Sequence, residues 1–289
     1  MKKRRIMLIA GALAVTAFAM TKLQTVTAYA VEGWMSQGEE WRYLDENDEP
    51  LQNTWKQSRD SWFYLGGQGI MMRDCFIEQG NSLYYVFEDG ARAENTWVLA
   101  DEADEDGHEA GWYYFGANGK AYRGTASSFK RTVDGRSYIF DESGRMLTGW
   151  FDEDGNQLDE DDNPLEEGVY YADADGALKT ESWLDYSQLE IRGLEDLSSD
   201  ISGRDYDEYD QVWLYFNNRS KKVKSNGGRL VQKNIDGSTY AFDEYGIMLP
   251  WWTKVASVSN ADKSNPTSDV PAKFFAGYDG GSLLRNSWF

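Results

Sequence analysis

Large aromatic residues return at a fixed spacing along most of the chain. One series, with members 21 residues apart, consists of Trp34, Trp55, Phe76 and Trp97; a second, with the same spacing, consists of Trp41, Trp62 and Leu83. Polar residues and glycines fill the stretches between these positions. A fixed period of about 20 to 50 residues is typical of proteins built from stacked structural repeats.

The second aromatic position of each repeat opens a four-residue core whose side chains alternate between two faces, as a β-strand requires. Nine such cores begin at Trp41, Trp62, Leu83, Trp112, Ser137, Val169, Trp213, Thr239 and Lys273. Seven residues after each start lies a turn position, occupied by Gly69, Gly90, Gly119, Gly144, Gly176, Gly246 and Gly280, and in two copies by Asp48 and Ser220. Glycine is favoured where a turn needs a positive φ. The pattern predicts nine β-hairpins, each followed by a tight turn.

The stretch between the two strands differs most among the copies. It is short in the first three, and insertions occupy 101–107, 152–162, 185–211 and 257–271. Hairpin tips tolerate insertions because they lie at the surface. We therefore predict an all-β fold, an elongated β-hairpin solenoid of about nine ~20-residue repeats with inserted loops, forming one domain over residues 31–289. The 15% aromatic content and the 28 glycines agree with this β bias.

The first thirty residues follow a different pattern. A basic start over residues 1–5 precedes an apolar run over 6–20 and the tripeptide Ala28-Tyr29-Ala30. This order is typical of a secretory signal peptide. The alternative is a membrane anchor, but the run is shorter than the roughly 20 residues that a spanning helix needs. We predict a signal peptide over residues 1–30, and a secreted or surface protein with no membrane attachment after cleavage.

The charge of the chain narrows the range of partners. Removing residues 1–30 would remove five of the 29 lysines and arginines and none of the 49 acidic residues, which changes the formal net charge from −20 to −25. Such a charge repels nucleic acid and anionic membranes and attracts cations, although it also simply favours solubility. Cys75 is the only cysteine, so no internal disulfide is possible.

The usual catalytic and cofactor motifs are missing from the sequence. His108 is the only histidine and lies in an acidic insertion, where we expect it to be solvated. The acidic segment 152–156 resembles a calcium loop but lacks the spacing of an EF-hand. We expect no catalytic residue, no metal site and no cofactor.

Three segments carry a resemblance to a known family. Thr148-Gly149-Trp150, the core Trp112-Tyr113-Tyr114-Phe115 and the turn at 141–146 resemble the choline-binding, or cell-wall-binding, repeat family. Related repeats form the glucan-binding regions of some bacterial glucosyltransferases and the C-terminal repeats of clostridial toxins. The resemblance covers residues 33–289. It implies a solenoid of hairpins, with a quaternary ammonium or a sugar bound by aromatic rings between neighbouring repeats.

The resemblance also implies which residues bind ligand. The intact tryptophan pairs are Trp34/Trp41, Trp55/Trp62, Trp97/Trp112 and Trp183/Trp213, and Tyr64 and Tyr85 would be the third walls of the first two pockets. The pattern decays in the pairs Phe76/Leu83, Phe129/Ser137, Trp150/Val169, Leu230/Thr239 and Trp251/Lys273. We therefore expect functional pockets mainly in the N-terminal third. The alternative is that these aromatic residues serve only to bury the faces of neighbouring hairpins.

Taken with the resemblance, the sequence predicts a bacterial surface protein without catalytic activity. Its partner would be a cell-wall polymer, bound through teichoic-acid choline or as a glucan, with no nucleic acid involved. Two alternatives stay open: a protein-interaction or adhesin scaffold that presents acidic loops to an unknown protein partner, and the targeting module of a larger wall hydrolase.

Overall fold

The structure is a computed structural model of the 289-residue chain. It describes residues 33–125, 128–189, 212–226 and 230–249, and the backbone of four short strands at 198–199, 204–205, 253–255 and 273–275. The predicted signal peptide, Trp251, Gly280 and the insertion at 257–271 lie outside the described residues.

The described elements are β-strands, apart from one 3₁₀ turn at Tyr186–Gln188. The strands are β1 Gly33–Gln37, β2 Glu40–Leu44, β3 Thr54–Ser58, β4 Ser61–Leu65, β5 Cys75–Gln79, β6 Ser82–Val86, β7 Thr96–Ala100, β8 Gly111–Phe115, β9 Lys130–Val133, β10 Arg136–Phe140, β11 Met146–Leu147, β12 Gly149–Phe151, β13 Tyr170–Ala172, β14 Ser182–Asp185, β15 Ser198–Ser199, β16 Arg204–Asp205, β17 Trp213–Phe216, β18 Val231–Ile235, β19 Ser238–Phe242, β20 Thr253–Val255 and β21 Lys273–Phe275. No helix among the described residues is long and apolar enough to cross a membrane.

Antiparallel hairpins repeat along the part of the chain that the structure describes. The repeat hairpins there are β1–β2, β3–β4, β5–β6, β7–β8, β9–β10, β12–β13, β14–β17, β18–β19 and β20–β21. The nine predicted cores lie in the second strands, with Val169 directly before β13. The prediction of an all-β hairpin-repeat fold is confirmed.

Two loop classes close these hairpins. Some hairpins have loops of two residues, which separate the last paired residues of the two strands. These last pairs are Gln37 with Glu40, Ser58 with Ser61, Gln79 with Ser82, Val133 with Arg136 and Ile235 with Ser238. The hairpins β7–β8, β12–β13 and β14–β17 are closed by longer segments, at three of the predicted insertions. The third of these contains the small hairpin β15–β16.

Two backbone hydrogen bonds recur after the second strand of a repeat. The turn residue donates its N–H to the carbonyl three residues earlier, as Gly90 does to Phe87 at 2.8 Å. Two residues after the turn residue comes a position that we call the post-turn residue, whose N–H is donated to the first core residue of the preceding hairpin. The described bonds run from Met71 to Trp41, Arg92 to Trp62, Ala121 to Leu83, Leu178 to Ser137, Lys222 to Val169 and Met248 to Trp213, at 2.7–2.8 Å. Consecutive hairpins are therefore joined by main-chain atoms.

The predicted turn positions have the backbone conformation that favours glycine. All eight described positions have a positive φ, between 61° at Asp48 and Ser220 and 100° at Gly144. At Gly119 the absence of a side chain matters for a second reason: a Cβ there would lie 2.3 Å from Nε of Arg92. At Gly90 a Cβ would lie 2.6 Å from Cε of Met71. Each of these turns covers the post-turn side chain of the preceding repeat.

The chain divides into two compact units, one comprising Met1–Thr125 with Phe140–Met146 and the other Ala126–Ile139 with Leu147–Phe289. In each unit the fourth core residue of a hairpin is buried between successive repeats. This holds for Leu65, Val86 and Phe115 in the first unit and for Ala172, Phe216 and Phe242 in the second. That residues 31–289 form a single domain stays a prediction.

Candidate functional site: aromatic pockets between hairpins

Each predicted tryptophan pair stands on one face of its hairpin. In β3–β4, Trp62 lies opposite Gln57, two residues from Trp55, so both indoles project from the same side. In the other three pairs the ring centroids are 6.5 Å apart and the planes cross at 74–86°: Trp34/Trp41, Trp97/Trp112 and Trp183/Trp213. Each pair is therefore two indoles in edge-to-face contact on one face of the hairpin.

The third ring of a pocket comes from the second core residue of the next hairpin. The described contacts, by ring centroid, are Phe63 with Trp34 at 5.2 Å, Tyr84 with Trp55 at 5.1 Å, Tyr113 with Phe76 at 4.9 Å and Tyr240 with Trp183 at 4.9 Å. Sequence reasoning missed Phe63, Tyr84 and Tyr240, although strand alternation would have identified them.

Tyr64 and Tyr85, the third walls predicted from the resemblance, each lie one residue after the ring of the next hairpin that contacts Trp34 or Trp55. Tyr64 packs on Trp55 of its own hairpin at 5.0 Å. Tyr85 is 2% exposed and donates a hydrogen bond to Asp74 at 2.6 Å. The physical reason is the two-residue period of a strand, because the first and third core residues share a face with their own hairpin's tryptophans while the second faces the preceding hairpin.

The pocket at Trp183 combines aromatic rings from two successive hairpins. Tyr240 crosses the Trp183 ring at 69°, and Phe242 stacks on it at 5.9 Å and 27°. The post-turn residue Met248 is buried in the same cluster as Trp183 and Trp213. The methionine is held by its backbone bond to Trp213 at 2.8 Å. This pocket lies outside the N-terminal third, where the sequence predicts the functional pockets to concentrate.

The pocket at Trp34 has the same plan. Phe63 and Tyr43 both meet the Trp34 ring edge to face, at 5.2 and 5.3 Å. The post-turn residue Met71 is buried and donates its N–H to the carbonyl of Trp41. Methionine is soft and polarizable, so it packs well against aromatic walls.

The pair Trp97/Trp112 has a related arrangement in the first unit. Phe140 stacks on Trp97 at 5.9 Å and 21°, and Tyr114 meets the same ring at 5.1 Å. Trp97 and Trp112 are each partly exposed. The stacking of Phe140 on Trp97 matches that of Phe242 on Trp183.

The pocket at Trp55/Trp62 contains a basic side chain of the protein itself. The post-turn residue is Arg92, whose guanidinium carbon lies 5.2 Å from the centroid of Trp55, 5.3 Å from that of Trp62 and 5.7 Å from that of Tyr84. All three distances are within the range of a cation–π contact. The same guanidinium bonds to Glu94 through Nε at 2.9 Å.

His108 occupies the degenerate pocket at Phe76/Leu83, and the prediction that it is solvated is wrong. Its imidazole stacks on Phe76 at 4.5 Å and 27° and is 7% exposed. Nδ1 of His108 lies 2.8 Å from Oδ2 of Asp104. The pKa of Asp104 is lowered: burial opposes the shift, but the backbone and side-chain hydrogen bonds from His108 outweigh it. The acidic insertion folds back, so that the imidazole of His108 covers the ring of Phe76.

Lys222 is the post-turn residue at the degenerate pair Trp150/Val169. Its Nζ lies 5.5 Å from the centroid of Trp150 and donates hydrogen bonds to the carbonyls of Leu165 at 2.6 Å and Pro164 at 3.2 Å. Burial lowers the pKa of Lys222 well below 10.5, and the nearby Lys224 lowers it further. Pro164 and Leu165, whose carbonyls accept these hydrogen bonds, follow just after the insertion at 152–162.

Known proteins show partial similarity to this chain in sequence and in structure. No family model matches the sequence. The sequence is 27% identical to Glucosyltransferase-S of Streptococcus mutans over 110 residues, which are 32% of this chain and 7% of that protein. Among solved structures, the modular autolysin LytC of Streptococcus pneumoniae matches with a TM-score of 0.48 and 17% identity, and the choline-binding domain of CbpL from the same organism with 0.47 and 20%. The chain is similar to choline-binding repeat proteins. The LytC match covers 88% of this chain and 46% of that protein, and the CbpL match 79% and 95%.

Proposed function

We propose that this chain is an exported bacterial surface protein that binds cell-wall polymers, without catalysis, in aromatic pockets between consecutive hairpins. The group recognised is a quaternary ammonium such as the choline of a teichoic acid. The observation that supports this most directly is the pocket of Trp183, Trp213 and Tyr240, which belong to one hydrophobic cluster with Met248. The pairs Trp34/Trp41 and Trp97/Trp112 are the further proposed sites.

The chemistry of these walls suits such a ligand. A trimethylammonium group has no N–H to donate, so hydrogen-bond acceptors offer it little. Ring faces attract it electrostatically, with about 0.5–2 kcal/mol per contact. The excess of 49 acidic over 29 basic residues favours the approach of a cation.

A glucan is the second ligand class within the same proposal. Indole rings are flat and apolar and can stack on the faces of sugar rings. The local similarity to Glucosyltransferase-S makes this class worth testing beside choline. A longer parent protein, such as a wall hydrolase, would use these repeats as its targeting module.

A protein-interaction scaffold is the second candidate function. The observation that favours it is that Arg92, His108 and Lys222 each occupy a position against the rings of one pocket. Pockets filled in this way would serve stability, and the acidic hairpin tips would then be the recognised surface.

Choline titration of the purified protein, followed by isothermal calorimetry, tests the proposal. We expect saturable binding that is lost from one site in Trp183→Ala and in Trp213→Ala. The matched control ligand is 3,3-dimethylbutan-1-ol, which has the shape of choline without its charge and should bind at least tenfold more weakly. Trp150→Phe, which changes a ring outside the proposed sites, should leave the number of sites unchanged.

The alternatives give different results in the same experiment. Equal affinity for choline and the neutral alcohol would exclude a cation–π site. Binding of dextran but not of choline would assign the pockets to a glucan. No binding of choline, dextran or purified peptidoglycan, in protein that circular dichroism shows to be folded, would leave the scaffold function.

A further inference from the structure

Arg92 stands where an external cation would bind in the pocket of Trp55 and Trp62. Its guanidinium carbon is 5.2–5.7 Å from the centroids of three rings, two from one hairpin and Tyr84 from the next. Nε and Nη2 both bond to Glu94, at 2.9 and 2.5 Å. The Arg92 side chain is 12% exposed. The charge is thus enclosed by aromatic rings and neutralised by its own carboxylate.

The position of Arg92 in the repeat is that of Met71 and Met248. All three donate their backbone N–H to the second-strand tryptophan of the preceding hairpin, at 2.7–2.8 Å. In the case of Arg92, the turn at Gly119 covers the side chain so closely that a Cβ would lie 2.3 Å from Nε. The backbone places this side chain at the pocket whatever its chemistry.

Lys222 repeats the arrangement independently in the second unit. It has the same backbone bond, to Val169 at 2.8 Å, and its ammonium lies 5.5 Å from the centroid of Trp150. Two carbonyl oxygens, those of Pro164 and Leu165, accept its hydrogen bonds. Of the charged groups near Lys222, Lys224 lowers its pKa and Asp243 raises it. A lysine and an arginine at one position of the repeat thus fill two different pockets in the same way.

We infer that the post-turn residue determines whether a pocket accepts an external cationic group. Arg92 closes the pocket at Trp55/Trp62 and Lys222 closes that at Trp150, each by supplying the protein's own cation. Methionine at the same position, as at Met71 and Met248, leaves the cation to be supplied by a ligand. The inference rests on the proposed function for the class of ligand, and it makes the intact pair Trp55/Trp62 a structural element.

Reciprocal exchange at this position tests the inference. Arg92→Met should add one equivalent of bound choline, measured by equilibrium dialysis with radiolabelled choline. Met248→Arg should remove one. Arg92→Lys is the matched control, because it keeps a cation and should leave the number unchanged. The double variant Arg92→Met with Glu94→Gln removes the carboxylate left without its arginine, and should bind as Arg92→Met does.

The outcomes separate this inference from the proposed function. If the wild type binds choline but Arg92→Met and its double variant gain no site, or Met248→Arg loses none, the inference is overturned and the function stands. If the wild type binds none and Arg92→Met binds one equivalent, the function fails, and the inference is upheld for Arg92 but overturned for methionine at Met71 and Met248. If neither binds, both fail. Circular dichroism confirms folding; were both Arg92 variants unfolded, Met248→Arg would decide alone.

Discussion

Replacing Gly119 by alanine would force a methyl group between the turn and the Arg92 side chain. The perturbation has two parts. Gly119 has φ +72°, a left-handed conformation that costs a residue with a Cβ about 1–2 kcal/mol. In addition, the new Cβ would lie 2.3 Å from Nε and 2.6 Å from Cδ of Arg92, so that the guanidinium must leave its position.

The second part can be estimated from the contacts that Arg92 makes. It would lose ring contacts with Trp55, Trp62 and Tyr84 and the paired bond to Glu94. With about 0.5–1 kcal/mol for each cation–π contact, the loss is about 2 kcal/mol. We therefore expect Gly119→Ala to lower the free energy of unfolding by about 3–4 kcal/mol.

Gly80→Ala measures the backbone part alone, so the steric part is the difference between the two variants. Gly80 has φ +59°, and its Cβ would meet no atom within 4 Å, so we expect only the backbone cost of about 1–2 kcal/mol. Urea unfolding followed by circular dichroism measures both variants, with comparison at unchanged m. In an Arg92→Ala background the excess of Gly119→Ala over Gly80→Ala should disappear. Equal costs in the wild-type background, or an excess that persists without Arg92, would refute the packing of the turn on the arginine.

Three further predictions concern buried groups. Trp150→Ala removes a ring that packs with Leu165, Leu214 and Phe216, and should lower the urea midpoint by the equivalent of about 3–5 kcal/mol; a loss below about 1 kcal/mol would contradict its burial. The pKa of Asp104 is lowered in the folded state, so the contribution of this carboxylate to stability is present above about pH 4 and is lost as the pH falls through the folded pKa. The advantage of the wild type over Asp104→Asn should therefore shrink between about pH 5 and pH 2. A difference that does not depend on pH would contradict the lowered pKa. Because burial lowers the pKa of Lys222, the unfolded chain binds that proton more tightly. The stability of the wild type relative to Lys222→Met should therefore rise as the pH increases toward about 10.5, and a difference that is flat over that range would contradict the lowered pKa.

The repeat and its turns could be predicted from the sequence because both depend on local chemistry. A period of aromatic residues gives the strands, and a glycine seven residues after each core start gives the turn. The predicted cores lie in the second strands, and even the exceptions, Asp48 and Ser220, have the positive φ expected of the position. The insertion sites followed from loop length alone.

The contents of the pockets could not be predicted in the same way, because they depend on contacts between repeats. Tyr64 and Tyr85 lie on the same face of their hairpins as the first-strand aromatic residues Trp55 and Phe76. Alternation along the strand shows this once the two faces are assigned. Arg92 and Lys222 are polar in sequence, yet the Arg92 side chain is only 12% exposed and Lys222 is buried, because tryptophans of preceding hairpins contact both. His108 is a similar case: its acidic surroundings suggest solvent, whereas the insertion folds back onto Phe76.

The main-chain bond of the post-turn residue has a consequence for valency. Since the link between hairpins uses a backbone N–H, a single codon change at this position could switch a pocket between occupied and vacant while the hairpins stay joined. Under the proposed function, the number of intact tryptophan pairs then overstates the number of simultaneous attachments to a polymer. Avidity grows steeply with each added attachment, by a factor of about 10²–10⁴ when geometry allows it. If the pockets bind as proposed, substitutions at this one position would change how firmly the protein holds a surface without altering its architecture.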